Sequence, residues 1–296
     1  MKIRVGYGLG NLRSLSSEQL AGLTDGLEAH GYDSLWLSER VSGPAPEPLV
    51  ALAFAAGRTS RIKFGTSVQV LPGRNPALLA KQWATLDVLS NGRALPAFGL
   101  GIAQPVEQQL FGVERRERAP WFEEALPLIR RFWSEDTVTH HGERFHYDGV
   151  TVLPKPTEPL DVWLGGKAPV ELRRIGRLAD GWLASFSTPT QCAEGRVMIE
   201  DAAAAAHREI DPEHFGAMVL YSHDELPDAF LKIIEARNPG IDARELVPRG
   251  WPAVREACER YVEVGFSKLV LVPLTEPKTW DDELAAGAAE VLPIQT

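Results

Sequence analysis

Short runs of β-branched and aromatic residues alternate with longer segments of helical periodicity along the whole chain. This alternation is typical of repeated strand–helix units, which build a parallel sheet covered by helices. Eight runs are predicted as strands, at residues 3–9, 34–39, 62–71, 94–101, 161–166, 181–186, 217–222 and 268–274. Eight helices are predicted after them, at residues 17–30, 48–58, 76–89, 120–133, 168–179, 190–209, 225–236 and 251–264. The pattern predicts an α/β fold, a (β/α)8 TIM barrel.

Three segments exceed a minimal barrel. Residues 134–160 contain two alternating runs on either side of a turn and predict an inserted hairpin. Residues 237–250 carry proline–glycine turns and predict a loop, and residues 279–291 predict a C-terminal helix. The length of 296 residues permits two domains, but one barrel with these additions uses all of it. We therefore expect a single domain over residues 1–296.

Charge and composition exclude several classes of function. The chain has 31 Lys and Arg against 40 Asp and Glu, a formal charge of −9, and no long basic run, which argues against nucleic acid as a partner. No apolar run approaches the length of a membrane span, and the N-terminus enters a strand pattern at once, so we expect no membrane association and a cytoplasmic location. Cys192 and Cys258 form no metal or disulfide motif.

In a barrel of this kind, ligands bind at the carboxyl ends of the strands. There the fifth predicted strand runs through Gly165 and Gly166 into Lys167 and a helix start at Ala168. Glycines let the backbone approach an anion, a helix start offers free N–H groups, and lysine adds a cation. This segment is interpreted as a phosphate cradle; the alternative is a tight turn in which glycine serves geometry alone.

Other polar residues near strand ends carry weaker signals. Glu39 and Arg40 end the second strand, where they are either a positioning pair for a polar ligand or a structural ion pair. The glycines near positions 6–10 and 99–101 do not complete a dinucleotide-binding fingerprint. His223 follows the seventh strand, where it either faces the ligand site or, more simply, is a solvated loop residue. The histidines at 140, 141 and 146 lie on a predicted hairpin without metal-ligand spacing, so no metal site is expected.

Several segments, taken in order, resemble the bacterial luciferase-like monooxygenase superfamily and, within it, the coenzyme F420-dependent oxidoreductases. The similarity covers nearly the whole chain. The segments that carry it are residues 31–39, 61–76, 79–93, 98–101, 111–112, 163–166, 179–182 and 265–266.

This resemblance implies a flavin or deazaflavin at the carboxyl end of the barrel. It implies a non-prolyl cis peptide at Ser67 and Val68 that backs the cofactor ring, and it places Ile102 and Ala103 beside the ring. The family's phosphate contact falls on residues 165–168, in agreement with the predicted cradle.

Two positions depart from the family pattern. In the F420-dependent sugar-phosphate dehydrogenases, position 40 is a histidine active in proton transfer and position 104 is a glutamate, whereas here they are Arg40 and Gln104. Neither is an ordinary general base near neutral pH. The expected reaction is therefore hydride transfer with a different proton donor, either Glu39 or water.

The function predicted from sequence is an oxidoreductase that transfers a hydride between coenzyme F420 and a small organic substrate. The alternatives are an FMN-dependent luciferase-like monooxygenase and a barrel that binds a cofactor without turnover. The resemblance also suggests a homodimer. Arg74, with Lys167 and Arg40, is expected to make the ligand site more positive than the whole chain.

Overall fold

The computed structural model describes residues 1–10 and 14–296. Its strands are β1 (Arg4–Leu9), β2 (Ser34–Leu37), β3 (Lys63–Thr66), β4 (Gln69–Val70), β5 (Ala94–Leu95), β6 (Ala97–Gly99), β7 (Val138–His141), β8 (His146–Val150), β9 (Trp163–Gly165), β10 (Gly181–Ala184), β11 (Phe215–Tyr221) and β12 (Lys268–Pro273). Within these described ranges, ten strands form one curled parallel sheet, and β7 and β8 form a separate antiparallel pair.

The order of strands in the large sheet is β4-β6-β9-β10-β11-β12-β1-β2-β3-β5. The third predicted strand consists of β3 and β4, interrupted at 67–68, and the fourth consists of β5 and β6, interrupted at Pro96. Both halves keep the same neighbour, because β3 pairs with β5 and β4 pairs with β6. Proline has no N–H for a ladder bond, which accounts for the second interruption. All eight predicted strands are confirmed, in a TIM-barrel-like arrangement.

The helices are α1 (Ser17–His30), α2 (Pro48–Ala56), α3 (Pro76–Leu89), α4 (Pro105–Phe111), α5 (Arg118–Ser134), α6 (Pro169–Leu178), α7 (Pro189–Ala205), α8 (Asp228–Arg237), α9 (Ala243–Leu246), α10 (Trp251–Glu263) and α11 (Trp280–Val291). Short 3-10 turns cover residues 115–117 and 292–294. The predicted helices, the terminal helix and the inserted hairpin are confirmed. Helix α4 was not predicted from the sequence, and part of the loop predicted over 237–250 is the short helix α9.

Proline begins many of these helices at the first turn, where its missing N–H costs no hydrogen bond. The preceding residue then serves as N-cap. Asn75 is an example, since its side chain accepts hydrogen bonds from the N–H groups of Ala77 and Leu78 at the start of α3. These local signals explain why several helix starts lie within two residues of their predicted positions.

Glu28 near the end of α1 fixes the entry to β3. Its carboxylate accepts hydrogen bonds from the N–H groups of Ser60, Arg61 and Ile62. Burial raises the pKa of this carboxyl, but the hydrogen bonds from that segment outweigh it and lower the pKa to about 2. The contact therefore favours an ionised Glu28.

Side chains alternate between two apolar clusters along the strands. In β12, Leu269 and Leu271 belong to the cluster between sheet and helices, whereas Val270 and Val272 belong to a second cluster on the other face of the sheet. This inner cluster also contains Trp36 and Trp163 and, beyond the strands, Ile234, Leu246 and Val247. The segment that carries α8 and α9 therefore packs over the inner cluster next to the end of β11.

The hairpin packs on α5 through aromatic edge contacts between Phe145 and Trp121 and between Tyr147 and Phe132. In the described part of the chain, no helix is both long and apolar enough to cross a lipid bilayer.

Candidate active site

The peptide between Ser67 and Val68 is cis, as the resemblance implies. The hydroxyl of Ser38, at the end of β2, donates a hydrogen bond of 2.9 Å to the carbonyl of Ser67. The N–H of Ser67 donates to the carbonyl of Leu37 at 2.8 Å. Two neighbouring residues of the second strand therefore hold this interruption of the third strand.

The side chain of Val68 explains two glycines at adjacent strand ends. A Cβ atom at Gly99 would lie 2.6 Å from one methyl of Val68, and a Cβ at Gly165 would lie 3.1 Å from the other. At Gly99 the distance is too short for a Cβ atom, so this position needs the absence of a side chain, whereas at Gly165 a Cβ would require Val68 to shift by a few tenths of an ångström. Gly99 is thus explained by packing and not by a dinucleotide fingerprint.

Glu39 lies next to the same interruption of the third strand, with its side chain only 2% exposed. One carboxylate oxygen accepts the N–H of Val70 at 2.7 Å, and the other accepts a hydrogen bond from the Arg74 guanidinium. Burial raises the pKa of Glu39, although the charge of Arg74 opposes the shift. Both oxygens are engaged, which is the arrangement of a residue that positions β4. Arg74 is compensated by this pair and is not a free cation for a ligand.

Arg40 and Gln104 meet at the carboxyl ends of the second and fourth predicted strands. The Arg40 guanidinium donates a hydrogen bond of 2.6 Å to the amide oxygen of Gln104. Next to them Glu107 of α4, 3% exposed, accepts hydrogen bonds from the main-chain N–H and the hydroxyl of Ser42. These contacts tie the loop after β2 to α4. Ile102, in the loop before α4, exposes 37% of its surface.

The predicted phosphate cradle has an occupant from the chain itself. The Glu171 carboxylate accepts hydrogen bonds of 3.0 Å from the N–H groups of both Lys167 and Ala168. Gly166 has φ +143°, and a Cβ there would lie 2.7 Å from the Cβ of Glu171. The N–H groups of this helix start bind a carboxylate, which Glu171 supplies in this structure, and the phosphate contact stays a prediction. A cavity of about 10 Å³, room for one water molecule, lies beside Glu171 and Arg174.

The Lys167 ammonium points away from the cradle amides, toward the end of α8. It donates to the carbonyls of Phe186 and Arg237, both at 3.2 Å, and to the side-chain oxygen of Asn238 at 2.5 Å. Lys167 was predicted to contact a phosphate beside the glycines, whereas in the structure its ammonium contacts Phe186 and the end of α8. The other predicted cofactor residue of this loop, Ala168, is exposed at the helix start.

A polar cluster that was not predicted from the sequence lies at the end of β11. The Glu283 carboxylate of α11, 8% exposed, accepts a hydrogen bond of 2.5 Å from the Tyr221 hydroxyl and lies 3.0 Å from Nε2 of His223. Tyr221 in turn lies 2.7 Å from the hydroxyl of Tyr7. Burial raises the pKa of Tyr221 well above its ordinary value. His223 is therefore the partner of a carboxylate and not a solvated loop residue.

Two of the three hairpin histidines have carboxylate partners. Nε2 of His140 lies 3.1 Å from Glu124, and Nε2 of His141 lies 3.2 Å from Asp148. Over residues 1–10 and 14–296, no three His, Cys, Asp or Glu side chains form a group that could hold a metal ion.

Comparison with known proteins decides the family. The family described as luciferase-like monooxygenase matches residues 7–245. The chain belongs to this luciferase-like family. Among curated members, the F420-dependent glucose-6-phosphate dehydrogenase of Kineococcus radiotolerans is 34% identical over 193 residues. The match covers 62% of this chain and 56% of that protein, so the chain spans little more than half the length of this relative.

Two solved structures with the luciferase-like fold are similar over the full chain. The coenzyme F420 dependent tetrahydromethanopterin reductase from Methanopyrus kandleri has a TM-score of 0.81 at 20% identity and covers 100% of both chains. The oxygenating constituent of 3,6-diketocamphane monooxygenase from Pseudomonas putida, in complex with FMN, has a TM-score of 0.80 at 19% identity. It covers 100% of this chain and 99% of that one. These likenesses establish the fold.

Proposed function

We propose that this luciferase-like protein is an oxidoreductase that transfers a hydride between coenzyme F420 and a small organic substrate. The observation that carries the proposal is the packing at the strand ends, which we call the platform. There Val68 packs against Gly99 and Gly165, and β4, which follows Val68, is held by Glu39 and Arg74. The curated relative from Kineococcus radiotolerans, named as F420-dependent, supports the choice of cofactor.

The residues around the platform fit such a cofactor. Val68 would back the ring system, and the exposed side chains of Ile102 and Ala103 would lie beside it. The glycines at 165 and 166 keep the main chain free of side chains where a phosphate would approach. The deazaflavin, when bound, supplies the carbon that accepts or gives up the hydride.

The chain's own contribution to the reaction is positioning. Glu39 and Arg74 fix β4, while Arg40 and Gln104 join two loops at the open end of the site. An arginine and an amide do not exchange protons near neutral pH. Both oxygens of Glu39 are engaged by other groups, and this favours water over Glu39 as the proton source.

For Glu171 to share the cradle with a phosphate, its carboxylate must leave the amides of Lys167 and Ala168. Two anions cannot accept the same N–H groups, and their repulsion adds to the competition. The side chain of Arg174, which pairs with Glu123 at 3.0 Å, lines the same small cavity as Glu171. We infer that cofactor binding and movement of Glu171 are coupled.

An FMN-dependent monooxygenase is the second candidate, favoured by the structural similarity to a protein in complex with FMN. The test is titration of the purified protein with oxidised F420, FMN and NADP, followed by fluorescence or absorbance. Reoxidation of bound reduced cofactor by candidate acceptors is then measured. F420 binding with turnover supports the proposal, FMN binding without F420 binding overturns it, and binding without turnover over a broad panel indicates a non-catalytic barrel.

A small-molecule substrate is part of the same proposal, since the relative named above is a dehydrogenase of a sugar phosphate. The homodimer and the cytoplasmic location stay predictions from the sequence.

A further inference from the structure

The cationic side chains of Lys167 and Arg237 lie beside the cradle, and neither is paired with a carboxylate. The three hydrogen bonds of the Lys167 ammonium go to two main-chain carbonyls and the amide oxygen of Asn238, all of them neutral groups. The guanidinium of Arg237, an exposed residue, lies 4.4 Å from the centre of the Phe186 ring. No salt bridge joins either cation to an acidic side chain of the described chain. Positive charge is therefore concentrated here without compensation in a protein of net charge −9.

The electrostatics agree with this geometry. Burial lowers the pKa of Lys167, and the nearby charge of Arg237 lowers it further. Arg237 is exposed as a whole residue, but partial desolvation of its guanidinium by the surrounding protein also lowers its pKa. Both shifts mean that the charged forms are disfavoured as the cluster stands, and an anion placed between the two groups would reverse that effect.

Asn238 provides an independent observation. Its side chain is buried, with 2% of the residue exposed, and its amide nitrogen has no hydrogen-bond partner although its oxygen accepts from Lys167. A buried donor without an acceptor is costly, and most buried polar groups are paired. The partner that the Asn238 amide nitrogen lacks is a hydrogen-bond acceptor. An anionic acceptor would also balance the charges of Lys167 and Arg237.

The main chain at this strand end has an unusual conformation. Phe186, two residues beyond β10, has φ +52°, in the left-handed region that favours glycine. A bulky residue in this region is an outlier, of a kind that clusters at ligand sites. Here it places the ring under the guanidinium of Arg237, and the ring of Phe230 lies 6.3 Å from it. The cluster thus combines an aromatic face with hydrogen-bond donors.

We propose that Lys167, Arg237 and Asn238 form a subsite for the phosphate or carboxylate group of a bound small molecule. The proposal rests on the proposed function for its setting, because the subsite borders the cradle. The anionic group belongs either to the cofactor, through its phosphate or its acidic tail, or to the substrate. The subsite lies at the end of α8, so it is separate from the main-chain N–H groups that donate to Glu171.

Replacement of Arg237 tests the subsite, because this residue is exposed and its loss should not prevent folding. The variant is Arg237→Gln, and the matched control is Lys232→Gln, which removes one positive charge from an exposed position of the same helix. Binding is measured by fluorescence titration for oxidised F420 and for its riboside, which lacks the phosphate and the acidic tail. Glucose 6-phosphate is then titrated into the cofactor-loaded protein.

We expect Arg237→Gln to weaken binding of one anionic ligand by about tenfold or more and to leave the riboside unaffected. Weaker binding of F420 assigns the subsite to the cofactor, and weaker binding of glucose 6-phosphate alone assigns it to the substrate. Affinities for all ligands that match those of Lys232→Gln overturn the proposal.

Failure of the proposed function gives a different result. If the wild-type protein binds neither F420 nor the riboside, the cofactor assignment is wrong. The subsite is then tested with inorganic phosphate alone, as the midpoint of thermal unfolding in phosphate against chloride at equal ionic strength. A rise in the wild type and in Lys232→Gln but not in Arg237→Gln supports the subsite. The same response in all three proteins, including no response, overturns it.

Discussion

Arg74 and Glu39 together hold Val70 by both of its main-chain polar groups. The carboxylate of Glu39 accepts the Val70 N–H at 2.7 Å, Nε of Arg74 donates to the Val70 carbonyl at 2.9 Å, and the two side chains are joined by their own hydrogen bond. The strand beyond the Ser67–Val68 peptide is thus clamped by an ion pair.

Removal of Arg74 should destabilise the protein, because the buried carboxylate of Glu39 would lose its cationic partner. In Arg74→Gln, the free energy of unfolding at neutral pH should fall by about 3–5 kcal/mol, because Glu39 remains buried without its cation. Burial already raises the folded-state pKa of Glu39, and the variant raises it further. Stability is then highest below the unfolded-state pKa and decreases as the pH rises through the folded-state pKa.

Denaturant unfolding at several pH values measures this effect. The control is Arg173→Gln, a change of the same charge at an exposed residue of α6. A deficit of Arg74→Gln that does not change with pH would show that the pair is not electrostatically coupled.

Contact between Val68 and Gly99 predicts a compensating pair of mutations. Gly99→Ala places a methyl group 2.6 Å from a methyl of Val68, so unfolding free energy should fall by about 1–3 kcal/mol and cofactor binding should weaken. In the double variant with Val68→Ala, the space is restored and the loss should be smaller than the sum of the single losses.

Gly22→Ala is the matched control for backbone effects. It lies in α1 with nothing within 4 Å of a new Cβ, so it should stabilise the protein by about 0.5–1 kcal/mol. Additive losses in the Val68 and Gly99 variants, measured by chemical denaturation, would contradict the packing explanation.

Glu171→Gln should strengthen binding of phosphate-bearing cofactors. The glutamine removes a negative charge from the N-terminus of α6 but retains an oxygen that can cap it. A single charge at a helix end is worth about 0.3–1 kcal/mol, which corresponds to roughly two- to fivefold in affinity. Fluorescence titration of F420 or FMN measures the change, with Glu194→Gln on α7 as the exposed control. An equal gain for a riboside without phosphate would argue against competition at the cradle.

Acid stability should depend on Glu28. Its pKa of about 2 lies below the ordinary value of 4.5, so ionised Glu28 stabilises the fold above the unfolded-state pKa, and this contribution is lost as the pH falls toward 2. Glu28→Gln should therefore reduce stability at neutral pH by about 3 kcal/mol. Relative to the wild type, the deficit should shrink in acid.

Thermal unfolding between pH 7 and acid conditions, with Asp201→Asn on α7 as an exposed control, checks this prediction. A constant deficit across the range would mean that the hydrogen bonds to residues 60–62 do not distinguish the ionised carboxylate from a neutral group.

Much of the fold was predictable because its signals are local. Each β-branched run became a strand, and proline or glycine marked many helix ends. The helix α4 was missed because it is short and follows a strand end whose sequence is typical of a ligand-binding turn. Glu171 was missed as the occupant of the cradle because the N-cap is Ala168, so the Ser/Thr that starts the usual capping signature is absent.

The sequence by itself determined the order of strands and helices, the positions of the glycines and the resemblance to the luciferase-like family. Periodicity and turn residues act over a few positions, and a family pattern is read along the chain. Only the tertiary structure decided that Gly99 leaves space for the side chain of Val68, that Glu39 pairs with Arg74 and that Lys167 contacts Asn238. These pairs are 31, 35 and 71 residues apart in the sequence, and their contacts exist only after the fold has brought the strand ends and the end of α8 together.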